Sequence, residues 1–158
     1  MCYAHIVPRY NQLDELLVRI HIVRQRPGWR RRLIDASGSV PSLSTLRVLR
    51  AVEQREKAGH SASVGEVAEY MAVEHSTASR TVANVVSAGL LTKTHDAEDQ
   101  RRCVLTLTEE GRNALADVTE RRREMVAETV AEWSESDVDK LVDLLEQLVN
   151  DFERGVSS

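Results

Sequence analysis

The chain has 158 residues, 42% of them hydrophobic and 29% charged, with a net charge of −4. This length and composition fit one globular domain, or one lobe of an obligate oligomer, and exclude a disordered chain. Only 4% of residues are aromatic, with a single Phe, so Leu, Val, Ile and Ala must build the core, a mixture suited to packed helices and a mainly α fold.

In chain order, Leu13, Leu16, Leu17, Ile20 and Val23 follow the i, i+3, i+4, i+7 rule and predict an amphipathic helix from Tyr10 to Arg26. Pro27-Gly28 interrupts it, because proline lacks an N–H and disfavours helix in the residue before it. "WRRRLID" then continues as a short helix, and "ASGSVPS" reads as a loop. Leu43, Leu46, Leu49 and Val52 restart the helical period until Gly59, and Val64, Val67, Ala68 and Met71 mark one face of the next helix. The stretch "EHSTASRTVANVVSAGLL" supplies another helix that ends at Gly89. "LLTKTH" and "RCVLTLT" follow as two strands around the polar tip "DAEDQR". In the second strand Cys103 alternates with Val104 beside Leu105 and Leu107, which reads Cys103 as a small buried hydrophobe. Thr108 with Glu109 and Glu110 starts a helix that carries Leu115, Val118, Met125, Val130 and Trp133. Ser134 and Asp137 resemble a capping box for the last helix, whose stripe is Leu141, Leu144, Leu145, Leu148 and Phe152.

The helix after Glu74 carries the chemistry. On a helical wheel Ala78, Val82, Val85 and Val86 share one side, while Ser76, Arg80, Ala83 and Ser87 lie opposite, with Thr77, Ser79 and Asn84 on the flanks. An ordinary solvated face favours Glu and Lys, which form helix better than Ser, Thr or Asn. Two short helices joined by a tight turn, the second presenting hydroxyls, an amide and an arginine, describe a helix-turn-helix whose second helix can enter a major groove. Short side chains let the backbone approach the duplex, hydroxyls reach phosphates or base edges, and the Arg80 fork matches guanine O6 and N7. Ser and Thr near a helix start also serve as caps on a plain surface helix.

Three helices followed by a hairpin with a charged tip form a winged helix-turn-helix. The run "VGEVAEYMAVEHSTASRTVANVVSAGLLTKTHDAEDQRRCVLTLTEEGR" resembles the multiple-antibiotic-resistance regulator (MarR) family. Ser76-Thr77-x-Ser79-Arg80, Gly89-Leu90, Asp96-x-x-Asp99-x-Arg101 and Leu107-Thr108-x-x-Gly111 stand at that family's spacing, over about a third of the chain. The resemblance implies one domain over 1–158, with dimerisation helices in 1–36 and 109–158 and a DNA-binding lobe in 42–108. It implies a homodimer that represses a pseudo-palindromic operator in double-stranded DNA until released by a small-molecule effector, aromatic or phenolic, or by oxidation. DNA contacts are expected from His75, Ser76, Thr77, Ser79, Arg80 and Asn84 on the recognition helix and from Asp99, Arg101 and Arg102 on the wing. Within the family motif Arg101 is the minor-groove residue and Asp99 its support. Cys2, with Tyr3 and Tyr10 nearby, is the candidate redox sensor, although a chain terminus is a poor place for the defined environment a sensor thiol needs. The chain departs from the family at Pro27-Gly28, and at His75, Lys93 and His95, where more basic residues are common.

Charge is uneven. Residues 1–60 hold 11 basic and 5 acidic side chains (+6), 61–102 hold 4 and 6 (−2), and 103–158 hold 6 and 14 (−8). A basic surface can thus coexist with an acidic total, and "RQRPGWRRR" is either such a surface or a solvated face. The acidic balance of 61–102 keeps a protein-interaction module as the alternative to a DNA-binding regulator. No Gly-rich phosphate loop, nucleophile motif or His/carboxylate metal spacing is present, so no enzyme, cofactor or metal site is expected. Cys2 and Cys103 read as reduced thiols, and the lack of a long apolar run or leader predicts a cytoplasmic protein with no membrane span. The apolar stripes at the two chain ends need a partner surface, either each other's or that of a second subunit.

Overall fold

Proline and glycine set the first boundaries. In the computed structural model, which describes residues 8–95 and 103–156, α1 covers Pro8–Gln25 and α2 covers Pro27–Ser37. Arg26 between them is extended, at φ −61° and ψ 140°, and Pro27 occupies the start of α2, where its missing N–H costs nothing. Gly38 ends α2 in the left-handed region at φ 63°.

Next come α3 (Leu43–Lys57), α4 (Val64–Met71) and α5 (His75–Ser87). Strands β1 (Leu91–His95) and β2 (Cys103–Leu107) form an antiparallel hairpin in which Leu91 faces Leu107 and His95 faces Cys103. Ala62 adds one bridge to the outer edge of β2, where the Leu105 N–H donates to the Ala62 carbonyl at 2.8 Å. The helices α6 (Glu109–Thr129) and α7 (Glu135–Val156) complete the chain. The architecture is mainly helical with a two-stranded wing, as the sequence predicts.

The chain divides into two compact units, Met1–Arg121 and Arg122–Ser158, with the division inside α6. In the first unit the apolar stripes converge: Val48, Leu49 and Val52 of α3, Val67 of α4, Val82 and Val85 of α5, Leu91, Leu105 and Val118 are all fully buried. Each such side chain stabilises the fold by about 1.5–3 kcal/mol relative to exposure. Ser42 caps α3 by accepting the Thr45 N–H at 3.1 Å. Arg50 donates to the Thr119 hydroxyl at 3.3 Å, and Ser39 donates to the Asp117 carboxylate, so polar contacts tie α3 and the α2–α3 loop to α6.

In the second unit α6 ends earlier than the apolar pattern suggests. Val130 and Trp133, whose spacing predicts a place on this helix, lie in the turn that follows it, with Trp133 51% exposed. The Val130 N–H splits between the Val126 and Ala127 carbonyls at 3.3 and 3.2 Å, and Trp133 N–H donates to Val130 O at 2.9 Å, which tightens the chain out of the helical path. Ser134 then competes for the backbone by capping α7, its hydroxyl accepting the Asp137 N–H at 3.1 Å and donating to the Asp137 carboxylate at 2.7 Å. Among the described residues no helix is long and apolar enough to cross a membrane.

Candidate nucleic-acid interface

The helix-turn-helix begins with a well-capped α4. Ser63 accepts the Glu66 N–H and Glu66 accepts the Ser63 N–H at 2.7 Å, a complete capping box. Arg55 of α3 holds the same Glu66 at 2.7 Å. At the other end, Ala72 adopts a left-handed conformation at φ 53° and ψ 51°, and the Val73 N–H reaches back to the Ala68 carbonyl at 3.1 Å. An alanine pays a steric penalty there, which the burial of Met71 and Ala68 on one side of the turn and Ala78 on the other offsets. Arg47 of α3 donates to the Met71 carbonyl at 2.5 Å and fixes the turn to the body.

The first turn of α5 has no side-chain cap. Glu74 is the extended N-cap residue, yet only its carbonyl is used, accepting from Thr77 and Ala78 at 3.0 Å each. The positive end of the helix dipole is therefore left open on an exposed surface, where phosphate oxygens are favoured ligands. Ala78, Val82 and Val85 face the core, as the wheel predicts, while Val86 is half-buried. His75, Ser76, Thr77, Arg80 and Asn84 are exposed together with Ala83 and Ser87. Ser79 sits lower, half-buried on the flank. Thr81 turns its hydroxyl inward to the Thr77 carbonyl at 2.9 Å. Arg80 forms no hydrogen bond or ion pair with a described residue.

Gly89 at φ 75° ends α5, and the Leu90 N–H closes on the Val85 carbonyl at 3.2 Å. The chain then enters β1, where Thr92, Lys93, Thr94 and His95 are all exposed. The three wing residues Asp99, Arg101 and Arg102 lie outside the described residues, as do Cys2 and Tyr3. Tyr10 is exposed on α1. Cys103 departs from the expected buried position. It is half-buried at the end of β2, with Sγ 3.9 Å from Nδ1 of its cross-strand partner His95. Leu105 and Leu107, further from the tip, are the strand's buried residues. Among the described residues no three His, Cys, Asp or Glu side chains group as metal ligands.

The open start of α5 has a signal in the sequence: Glu is a weak N-cap beside Ser, Asp or Asn, and it stands immediately before the periodic segment. The supporting roles of Arg47 and Arg55 carry no such local signal.

Comparison with known proteins gives the geometry its context. Residues 41–102 match the model of the MarR family. The fold is similar to that of the transcriptional regulator Tm0710 from Thermotoga maritima, at 22% identity and a TM-score of 0.76 over 94% of this chain and 99% of that one. It is also similar to a MarR family protein from Bacillus stearothermophilus, at 18% identity and a TM-score of 0.73 over 95% and 99% of the two chains. A third similar structure is a mutant of MepR from S. aureus bound to an oligodeoxyribonucleotide, with 19% identity and a TM-score of 0.61 over 90% of this chain and 97% of that one. No curated protein matches the chain.

Proposed function

The chain is a winged-helix protein of the MarR family, and from that premise we propose that it is a homodimeric, DNA-binding transcription regulator that represses a pseudo-palindromic operator. The observation that carries this reading is the outer face of α5: exposed Ser76, Thr77, Arg80 and Asn84 beside an uncapped helix start, on a helix whose opposite face is locked into the core. A rigid scaffold that leaves a guanidinium free of partners among the described residues is suited to a base edge. The MepR structure with a bound oligodeoxyribonucleotide supports the same use of the fold. In this reading 42–108 is the DNA-binding lobe, and 1–36 with 109–158 are the dimerisation helices. His75 and Ser79 flank the α5 contacts, and Asp99, Arg101 and Arg102 extend them on the wing.

Release is assigned to a small aromatic or phenolic acid, with oxidation at Cys2 as the alternative signal. A groove of about 380 Å³ beside α1 and α2 supports the first. Leu17, Ile20, Leu33 and Leu43 supply apolar walls, and Trp29, with the Arg24 guanidinium 5.6 Å from its ring centre, supplies a stacking surface and a cation. That volume is in the range of about 300–1,000 Å³ typical of small-molecule sites.

The test is to incubate the purified protein with fragmented genomic DNA and sequence what it retains. The expected result is one enriched pseudo-palindrome with half-sites about 10–10.5 base pairs apart, bound in a salt-dependent manner. Retention without enrichment at any salt, or no retention, overturns the regulator reading and leaves the protein-interaction module.

A further inference from the structure

The outer edge of β2 poses a satisfaction problem. Alternate backbone N–H groups of a strand point to the same side, so those of Leu105 and Leu107 both face away from β1. Leu105 finds the Ala62 carbonyl at 2.8 Å, but Ala62 is the single bridge on that edge among the described residues. Leu107 has no third strand to donate to. Its N–H instead donates to Oε1 of Glu56, a side chain of α3 that lies 51 positions earlier, at 3.0 Å.

From this we infer that Glu56 is a positioning residue for the wing: its carboxylate stands in for a missing strand and fixes the angle at which the hairpin leaves the body. The other carboxylate oxygen, Oε2, accepts from Nη1 of Arg112 at 2.7 Å, and Arg112 belongs to the first turn of α6. One carboxylate therefore joins three elements. Both side chains of the ion pair keep solvent contact, at 22% and 54% exposure, so its worth is in geometry more than in stability. The Leu107 bond differs, because a strand amide with no acceptor would have to be rehydrated, and the hairpin would lose its second anchor on that edge.

The opposite side of the same junction is equally fixed. Thr108 N–H donates to the Leu90 carbonyl at 3.2 Å, and the Thr108 hydroxyl donates to the Gly89 carbonyl at 2.7 Å while accepting the Gly111 N–H at 3.0 Å. The base of β2 is thus held from both sides, by Gly89-Leu90 at the end of α5 and by Glu56 on α3. With Glu56 gone, the Ala62 bridge at Leu105 is the hairpin's remaining backbone anchor on that edge among the described residues, and the base of β2 at Leu107 is held only from the α5 side.

The effect on DNA rests on the regulator reading above, whereas the effect on the hairpin does not, and the experiment separates the two. Amide hydrogen exchange is measured by NMR on the full chain and on Glu56→Ala and Glu56→Gln. In Glu56→Ala, Leu107 should exchange about tenfold faster or more, while Leu105, bonded to Ala62, keeps its wild-type rate. Glu56→Gln retains an acceptor oxygen and should keep the Leu107 rate within about twofold of wild type. Unchanged exchange at Leu107 in the Ala variant, or a Gln variant as fast as Ala, overturns the role. On the operator, hydroxyl-radical footprints should lose protection in Glu56→Ala at the flanking minor grooves and keep it beside the recognition helix. Equal loss at both places, or none, overturns wing positioning. Should the wild type protect no DNA at all, the regulator reading fails and the exchange rates alone decide Glu56.

Discussion

Gly111 sits where the first turn of α6 crosses the end of α5, and a Cβ built there would lie 2.1 Å from the Leu90 carbonyl oxygen. The obstacle is backbone, so neither partner can rotate away. Gly111→Ala should destabilise the chain by about 1–3 kcal/mol, read as a lower Tm in thermal denaturation, and an unchanged Tm would mean that α6 can slide off α5. This gives the glycine of Leu107-Thr108-x-x-Gly111 a physical cause: the Thr108 cap brings the helix so close to Leu90 that a side chain does not fit. Arg80 represents the opposite case, a side chain with no hydrogen bond or ion pair among the described residues. Arg80→Ala should leave Tm unchanged, weaken operator binding by about 1–3 kcal/mol and relax preference at one position in each half-site. A binding titration that finds both affinity and preference intact would assign the outer face of α5 to something other than base readout. Ser76→Ala and Thr77→Ala should cost less, since each removes one hydroxyl and leaves the open helix start in place.

Among the elements, the α4–α5 pair is held by contacts at several points. The capping box at Ser63 and Glu66, the Arg55–Glu66 ion pair and the Arg47 bond to Met71 O all bear on α4, and α5 is carried by its buried Ala78, Val82 and Val85. Replacing Ser63 with Ala should cost about 0.5–2 kcal/mol of stability. Chemical denaturation with no shift in midpoint would show the cap to be redundant with the Arg55 contact. For the wing, the proposed division of labour is that Arg101 enters a minor groove and Asp99 holds it by a charge-assisted hydrogen bond. Arg101→Ala should then weaken binding and reduce the slope of log K against log salt by about 0.9 per subunit. Asp99→Ala should weaken binding although it removes a negative charge. Tighter binding by Asp99→Ala would leave Asp99 as a solvated turn residue. The elements themselves were largely legible in advance, because caps and breakers act on near neighbours: Pro27, Gly38, Gly89, Thr108 and Ser134 all stand at the boundaries they announce. The exception, the end of α6, shows the limit of periodicity. Val130 and Trp133 continue an apolar pattern, yet backbone bonding at Val126, Ala127 and Val130 turns the chain before them.

For the whole molecule, the exposed apolar surface is the largest unanswered term. Leu13, Leu16, Ile20 and Val23 of α1 are exposed, as are Leu141, Leu144, Leu145, Val149 and Phe152 of α7, the last at 59%. Exposed stripes of this kind call for a partner surface, and the proposed two-fold pairing with a second copy would cover them with the same residues on both sides. Light scattering at about micromolar concentration should report twice the 17.8 kDa chain mass. The double substitution Leu144→Glu and Phe152→Glu should return a single-chain mass and abolish operator binding, since one half-site alone buries too little. A wild type that scatters as a 17.8 kDa particle would sink the dimer. The mainly helical class, the order of helices and hairpin, and the division of α5 into an apolar and a polar face are readable from sequence, because they follow from spacings of two to four residues within one segment. Tertiary structure alone decided that Glu56 meets Leu107 and Arg112, that Arg47 reaches Met71 O and that Gly111 must pass Leu90. Those pairs are brought together by the packing of whole helices, and no local period encodes which side chain arrives opposite which backbone group.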